Sequence, residues 1–228
     1  MQRLASGLLA LVFIITLDVG VVSGAMLPAH IIARRSQRQG QSSSRTVAIG
    51  EHLRGDATAP VTLLEYGDFE CPFSKQYTST LERVLVTYPR QVNVMFRNFP
   101  LSFHANARKE AEAAECAAEI GGNDAFWKFH DAIFRKTTSG GRGFDLDGLT
   151  SLGAEIGLDS TKFNACLTSG RTSSIVEAQI AAGRATGVTG TPTTFVVKNA
   201  SGKGNRFRGA VSFADLQSAI EEALGRRQ

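Results

Sequence analysis

Cys71 is followed by Pro72 within the stretch Glu65-Tyr66-Gly67-Asp68-Phe69-Glu70-Cys71-Pro72-Phe73-Ser74. An apolar run at 61–64 precedes this stretch and a helix-like segment follows it to Tyr88, so it reads as a strand, a sharp turn and a helix start. Proline is accommodated in the first helical turn, where its missing N–H has no partner to lose. Cys71 is therefore expected at or just before the helix start, where unpaired backbone N–H groups and the positive end of the helix dipole favour a thiolate. A thiolate there is a nucleophile. The second cysteine of a redox pair is missing, because position 74 is Ser.

Two carboxylates accompany the thiol. With the period of two of a strand, Leu63 and Glu65 share one face while Leu64 and Tyr66 share the other. Glu65 is thus expected to point inward beneath the turn, and Glu70 to lie beside the thiol and more exposed. A half-buried carboxyl near a thiol can relay protons, since burial raises its pKa toward the working range. The alternative is that Glu65 ends the strand in solvent, and the local residues leave both readings open.

The elements that must position these residues follow in order. A short first element is expected around 47–49, then a turn cluster at 55–60 and the strand 61–66. The helix after Cys71 carries Tyr77, Leu81, Val84 and Leu85 at helical spacing and stops at Pro89. Residues 91–97 alternate as a second strand, completing a βαβ unit. Helices are expected at 103–136, broken at 121–124 with Asn123 or Asp124 as a cap, and at 146–156, 160–167 and 171–186. A strand at 193–197, a turn at 199–202, a strand at 206–209 and a helix at 213–224 close the chain. His104 and His130 fall in apolar helical surroundings and read as packed histidines bonded to backbone, while Arg108, Lys109, Glu110 and Glu112 read as a solvated helix face.

Composition narrows the function. An apolar fraction of 43%, a charged fraction of 20% and a net charge of +4 describe an ordinary globular body with no basic run suited to nucleic acid. Neither the cysteine spacing nor the histidines suggest a zinc site, and no metal or other cofactor is implied. At the N-terminus, Arg3 precedes an uncharged apolar run at 4–17, then Asp18 and small residues at 22–25. That pattern is expected to be a cleaved export signal over 1–25, with an uncleaved membrane anchor as the alternative. Residues 26–46 read as a flexible linker rich in Ser, Gln and Arg, leaving 47–228 as the folded domain. The three cysteines, an odd count in an exported chain, suggest one pair and one reactive thiol.

Asp68-Phe69-Glu70-Cys71-Pro72-Phe73 resembles the active-site turn of DsbA-like thiol–disulfide oxidoreductases of the thioredoxin superfamily. Phe99-Pro100-Leu101 with His104, the blocks around Cys116 and Trp127, the block around Cys166, and the Gly187-to-Thr193 loop are similar to later family blocks in the same order. The resemblance covers about 60–224 and implies an α/β thioredoxin-like fold with an all-helical insertion over about 100–186. It further implies Cys71 as nucleophile, Glu65 as a buried acid, and Thr191 and Pro192 as a cis-proline loop that, with Pro72 and Phe73, lines a groove for extended substrate. Cys116 and Cys166 become candidates for a structural disulfide, with two unpaired buried thiols as the alternative. Ser74 departs from the family pattern. It leaves a hydroxyl able to hydrogen-bond the thiolate but no internal thiol to resolve a mixed disulfide. The expected activity is extracytoplasmic exchange through a single cysteine. Its partners are exported proteins bearing thiols or disulfides, and glutathione or a redox protein as the outside thiol. The competing readings are a redox-silent module binding extended or unfolded chains, and glutathione-transferase-type chemistry using the Ser74 hydroxyl.

Overall fold

The structure, a computed structural model, describes residues 51–138 and 146–226. The expected export signal, the linker and the element at 47–49 lie outside the described residues. Among the described residues the first strand, β1, is His52–Gly55, a stretch the sequence reading leaves unassigned between the element at 47–49 and the turn at 55–60. Its four residues are too few to display alternation, and it is a strand because it pairs antiparallel with β3.

The strands β2 (Val61–Gly67), β3 (Val92–Asn98), β4 (Thr193–Lys198) and β5 (Lys203–Arg208) complete a sheet of order β1-β3-β2-β4-β5. Only β2 and β3 run parallel, joined through helix α1 (Pro72–Thr87); the other neighbours are antiparallel. Helices α2 (Ala107–Lys136), α3 (Leu146–Glu155), α4 (Ser160–Ser169) and α5 (Ser173–Ala185) lie between β3 and β4, and α6 (Phe213–Ala223) ends the fold. This is the α/β thioredoxin-like architecture with an inserted helical region.

The period of two along β2 divides the core. Val61 and Leu63 pack in the larger cluster with Tyr77, Leu81 and Val84 of α1 and Leu216 of α6, whereas Leu64 and Tyr66 pack with Phe99, Val176 and Ile180. Glu65 follows Leu63 in the alternation and is buried. Cys116 of α2 and Cys166 of α4 are bonded to one another, both fully buried.

Three readings of α2 need correction. The helix starts at Ala107, so His104 belongs to the turn before it. Glu110 and Glu112 are buried rather than solvated, because other elements cover that face of the helix. Asn123 caps no helix. Near the kink at Gly122 (φ 72°), its side chain accepts from Leu53 N–H at 3.1 Å and donates to Leu53 C=O at 2.7 Å, pairing the outer edge of β1. Asp159 caps α4, accepting from Lys162 N–H.

Gly67, at the end of β2, leads straight into the Cys71 turn. A methyl group there would stand 2.3 Å from Phe96 Cε2, and Phe96 is itself held among Phe69, Phe126, Trp127 and His130. Gly67→Ala should therefore lower stability by about 1–3 kcal/mol, as overpacking of a filled core does. The measurement is the denaturant midpoint at unchanged slope, and a wild-type midpoint would show that the ring yields freely.

Candidate active site

Cys71 caps the N-terminus of α1 with extended backbone (φ −76°, ψ 119°), and Pro72 follows in the first turn. Its carbonyl accepts from Lys75 N–H, beginning the helix, while its thiol donates to the Thr191 carbonyl with Sγ···O 3.4 Å. The Thr191–Pro192 peptide is cis. That loop is fastened on both sides: Thr193 Oγ1 donates to Gly190 C=O at 2.7 Å, and Pro192 C=O accepts from Gly209 N–H at 2.7 Å. Cys71 is 3% exposed, whereas Pro72 is exposed and Phe73 stands 59% exposed beside it. Cys71, Pro72, Phe73, Thr191 and Pro192 are thus brought together around one sulfur.

Asp68 ties this turn down. Its backbone N–H donates to Ser74 Oγ at 3.4 Å and its carbonyl accepts from Cys71 N–H at 3.0 Å. Its Oδ1 accepts from Glu70 N–H at 2.8 Å, and its Oδ2 takes both Leu101 N–H and His104 Nδ1 at 2.8 Å. Burial pushes the Asp68 carboxyl up, and these hydrogen bonds oppose that rise. Ser74 is fully buried against this residue.

Glu70 corrects the sequence reading, for it is fully buried rather than exposed beside the thiol. Its Oε2 accepts from Asn106 N–H at 2.9 Å and Ala107 N–H at 3.1 Å, which places a carboxylate on the N-terminus of α2. The two acids of the turn therefore grip the same segment, 101–107. His104, expected to bond backbone, bonds instead to a carboxylate thirty-six positions away in the chain. His130, also read as bonded to backbone, pairs instead with Asp131 at 2.9 Å.

Glu65 is 2% exposed, and burial alone raises its pKa to about 8. Tyr77, one turn into α1, is likewise pushed up by burial, with the Glu65 charge adding to the rise. The Cys116–Cys166 bridge joins helices that do not carry the Cys71 turn, leaving Cys71 as the free cysteine. No group of His, Cys, Asp and Glu among the described residues is arranged to hold a metal.

A family model described as Thioredoxin matches residues 47–222. The chain belongs to this thioredoxin family. Within it the chain is DsbA-like: DsbA2 of Pseudomonas aeruginosa is 35% identical with a TM-score of 0.66, covering 75% of this chain and 93% of that one. Oxidised BdbD from Bacillus subtilis shares the fold at a TM-score of 0.68 and 23% identity, over 77% of this chain and 94% of that one. Among curated proteins, the Na(+)/H(+) antiporter NhaA 3 of Salinispora tropica is 34% identical over 175 residues, 76% of this chain. The chain spans about a quarter of the length of that relative. In this thioredoxin-family chain, the paired cysteines stand in the helical insertion and the free one stands at the helix start facing the cis-proline loop.

The raised Glu65 pKa has a consequence for stability. Folded Glu65 holds its proton up to about pH 8, whereas unfolded Glu65 loses it near 4.5, so stability falls as pH rises between those values. Below 4.5 the two states are equally protonated and the penalty vanishes. At pH 7 it is on the order of 3 kcal/mol, at about 1.4 kcal/mol per pKa unit. Glu65→Gln should recover most of that at pH 7 and little at pH 4. Urea midpoints at both pH values read the difference, and an equal effect at both would assign it to packing.

Proposed function

We propose that this chain performs thiol–disulfide exchange outside the cytoplasm through Cys71 alone. The observation that carries the reading is the Cys71 thiol at the start of α1, hydrogen-bonded to the Thr191 carbonyl, while the remaining two cysteines are bonded to each other. Extended substrate would lie along the cis-proline loop, between Thr191 and Pro192 on one side and Pro72 and Phe73 on the other.

The chemistry balances as follows. Cys71 gives up its proton, and the thiolate attacks one sulfur of a substrate disulfide; the new S–S bond forms as the old one breaks. The displaced sulfur leaves as a thiolate and takes up a proton. A second thiol, from glutathione, the substrate or a redox protein, then attacks the mixed disulfide and returns Cys71 as thiolate. Disulfides are moved and not created, so the single-cysteine site suits isomerisation, reduction by an outside thiol or removal of glutathione. Ser74 Oγ accepts from Asp68 N–H, which holds its hydroxyl in the turn; under this reading that O–H would be the donor available to the Cys71 thiolate once it forms. Glu65 acts as the buried acid that exchanges protons beneath the site.

Location outside the cytoplasm is supported by the apolar N-terminal run and by the buried Cys116–Cys166 bridge, since disulfides persist where the surroundings are oxidising. A structural neighbour is a periplasmic thioredoxin-like protein from Salmonella enterica. No helix among the described residues is long and apolar enough to cross a membrane, and the ion transport in the antiporters' name is not carried over to this chain.

The burial of Cys71, together with the exposure of Phe73 and of Phe103, favours one second reading, a redox-silent module that binds extended chains. Incubation with oxidised glutathione, an acid quench and intact mass separate the two. Exchange predicts one glutathione adduct, on Cys71, absent in Cys71→Ala and released by added thiol. Ser74→Cys should convert the adduct into an internal disulfide and allow dithiol substrates to be oxidised. An adduct-free wild type that binds unfolded peptide as well as Cys71→Ala does would sink exchange in favour of the binding module.

A further inference from the structure

Gly209 N–H donates to the Pro192 carbonyl at 2.7 Å, so the end of β5 holds the cis-proline loop. The residue before it is Arg208, which stands directly opposite Thr193 in the β4–β5 ladder. Directly opposed residues of an antiparallel pair have Cα atoms about 4.5–5.5 Å apart. Thr193 follows Pro192, and the Thr191 carbonyl accepts from the Cys71 thiol at 3.4 Å. Main-chain pairing therefore fixes Arg208 on the β5 side of the loop that faces the nucleophile.

Arg208 is exposed, and its guanidinium has no hydrogen bond, ion pair or ring partner among the described residues. Other cations of the region are occupied. Arg206 Nη1 donates to the Thr186 and Gly187 carbonyls at 3.2 Å, fastening the chain before the loop. Lys75 Nζ, in the first turn of α1, donates to the Thr137 carbonyl at 2.7 Å. The acids of the Cys71 turn are withdrawn as well, since Glu65, Asp68 and Glu70 are all buried. Along the chain the imbalance is wider. Residues 178–214 contain no Asp or Glu, while Arg184, Lys198, Lys203, Arg206 and Arg208 fall among them. The cis-proline loop and the β4–β5 hairpin thus form one arm of the site with a single sign of charge, and such an arm draws anions toward it.

We propose that Arg208 selects the substrate, by taking a carboxylate carried close to the reacting disulfide. An acidic side chain beside a substrate cysteine offers that group, and so does glutathione. The proposal rests on the reading of Cys71 as the exchanging nucleophile. The Cys71 thiolate is an anion and repels a disulfide that bears carboxylates; a cation beside the cis-proline loop offsets that repulsion as the mixed disulfide forms. Arg208 determines specificity and takes no part in the bond exchange itself. An exposed pair of this kind is modest in strength and screened by salt.

Rates of mixed-disulfide formation on the reduced full chain, read by acid quench and intact mass, test the proposal. The probes are glutathione disulfide, neutral bis(2-hydroxyethyl) disulfide, the disulfide of a short peptide with Asp beside its Cys, and the same peptide with Asn. In each case one half of the probe joins Cys71 and the other half leaves as a thiol. Two ratios are read, Asp peptide to Asn peptide and glutathione disulfide to the neutral probe. Arg208→Gln should lower the ratio for the true substrate class about two- to fivefold, the size of an exposed ion pair. Arg208→Lys should restore it, and salt at ~0.5 M should bring wild type toward Arg208→Gln. Lys203→Gln should keep the wild-type ratios, since Lys203 pairs with Lys198 at the far end of the hairpin. A fall in the first ratio assigns acidic polypeptides as substrate, and a fall in the second assigns glutathione. Both ratios unchanged in Arg208→Gln, or lowered equally in Lys203→Gln, overturn the role of Arg208, while the adducts themselves leave exchange through Cys71 standing. No adduct with any probe removes the exchange reading, and the proposal with it.

Discussion

Each polar atom of Asp68 is engaged, and the rest of the site depends on that. Through its backbone it holds Ser74 and Cys71; through its carboxylate it holds Glu70, Leu101 and His104. A turn carrying an exposed helix start would otherwise be free to rearrange. Here its first residue is tied both to α1 ahead and to the segment before α2, so the helical insertion and the nucleophile share one anchor. Glu70 repeats the tie from two residues on, at the α2 N-terminus. The insertion is thus continuous with the active-site turn by hydrogen bonds rather than by chain alone.

Beneath the turn the electrostatics differ sharply. Asp68 and Glu70 are buried acids with donors provided, whereas Glu65 is buried with its pKa raised by desolvation alone. A carboxyl so placed carries a proton at neutral pH, and its charge state can change at a modest cost. That separates an acid that holds structure from an acid able to exchange protons, within six residues of one strand and turn.

Much of this was legible in the sequence wherever the signal was local. The apolar run before Gly67 and Pro72 after Cys71 follow from neighbours along the chain, and the alternation puts Glu65 on the face of Leu63, though its burial is settled only by what covers that face. The misread residues share a different property. Glu70, Glu110 and Glu112 read from the sequence as exposed, but burial of an acid is decided by what covers it and which donors it meets. Glu115 shows why: its Oε1 accepts from His52, Asn98 and Gln179, which come from three separate elements. No window of sequence contains that set. The strand β1 failed for the same reason, since its identity lies in its pairing with β3.

The Asn123 amide on Leu53 has a consequence for how the molecule meets copies of itself. It occupies backbone groups on the outer edge of β1, and at the sheet's other end β5 has no further strand beside it among the described residues. That strand carries Lys203, Arg206 and Arg208. Two such strands meeting head to tail would set Lys203 of one against Arg208 of the other, and like charges facing across a ladder oppose pairing. Edge-to-edge stacking of sheets is thereby discouraged at both ends, by an amide cap at one and by charge at the other.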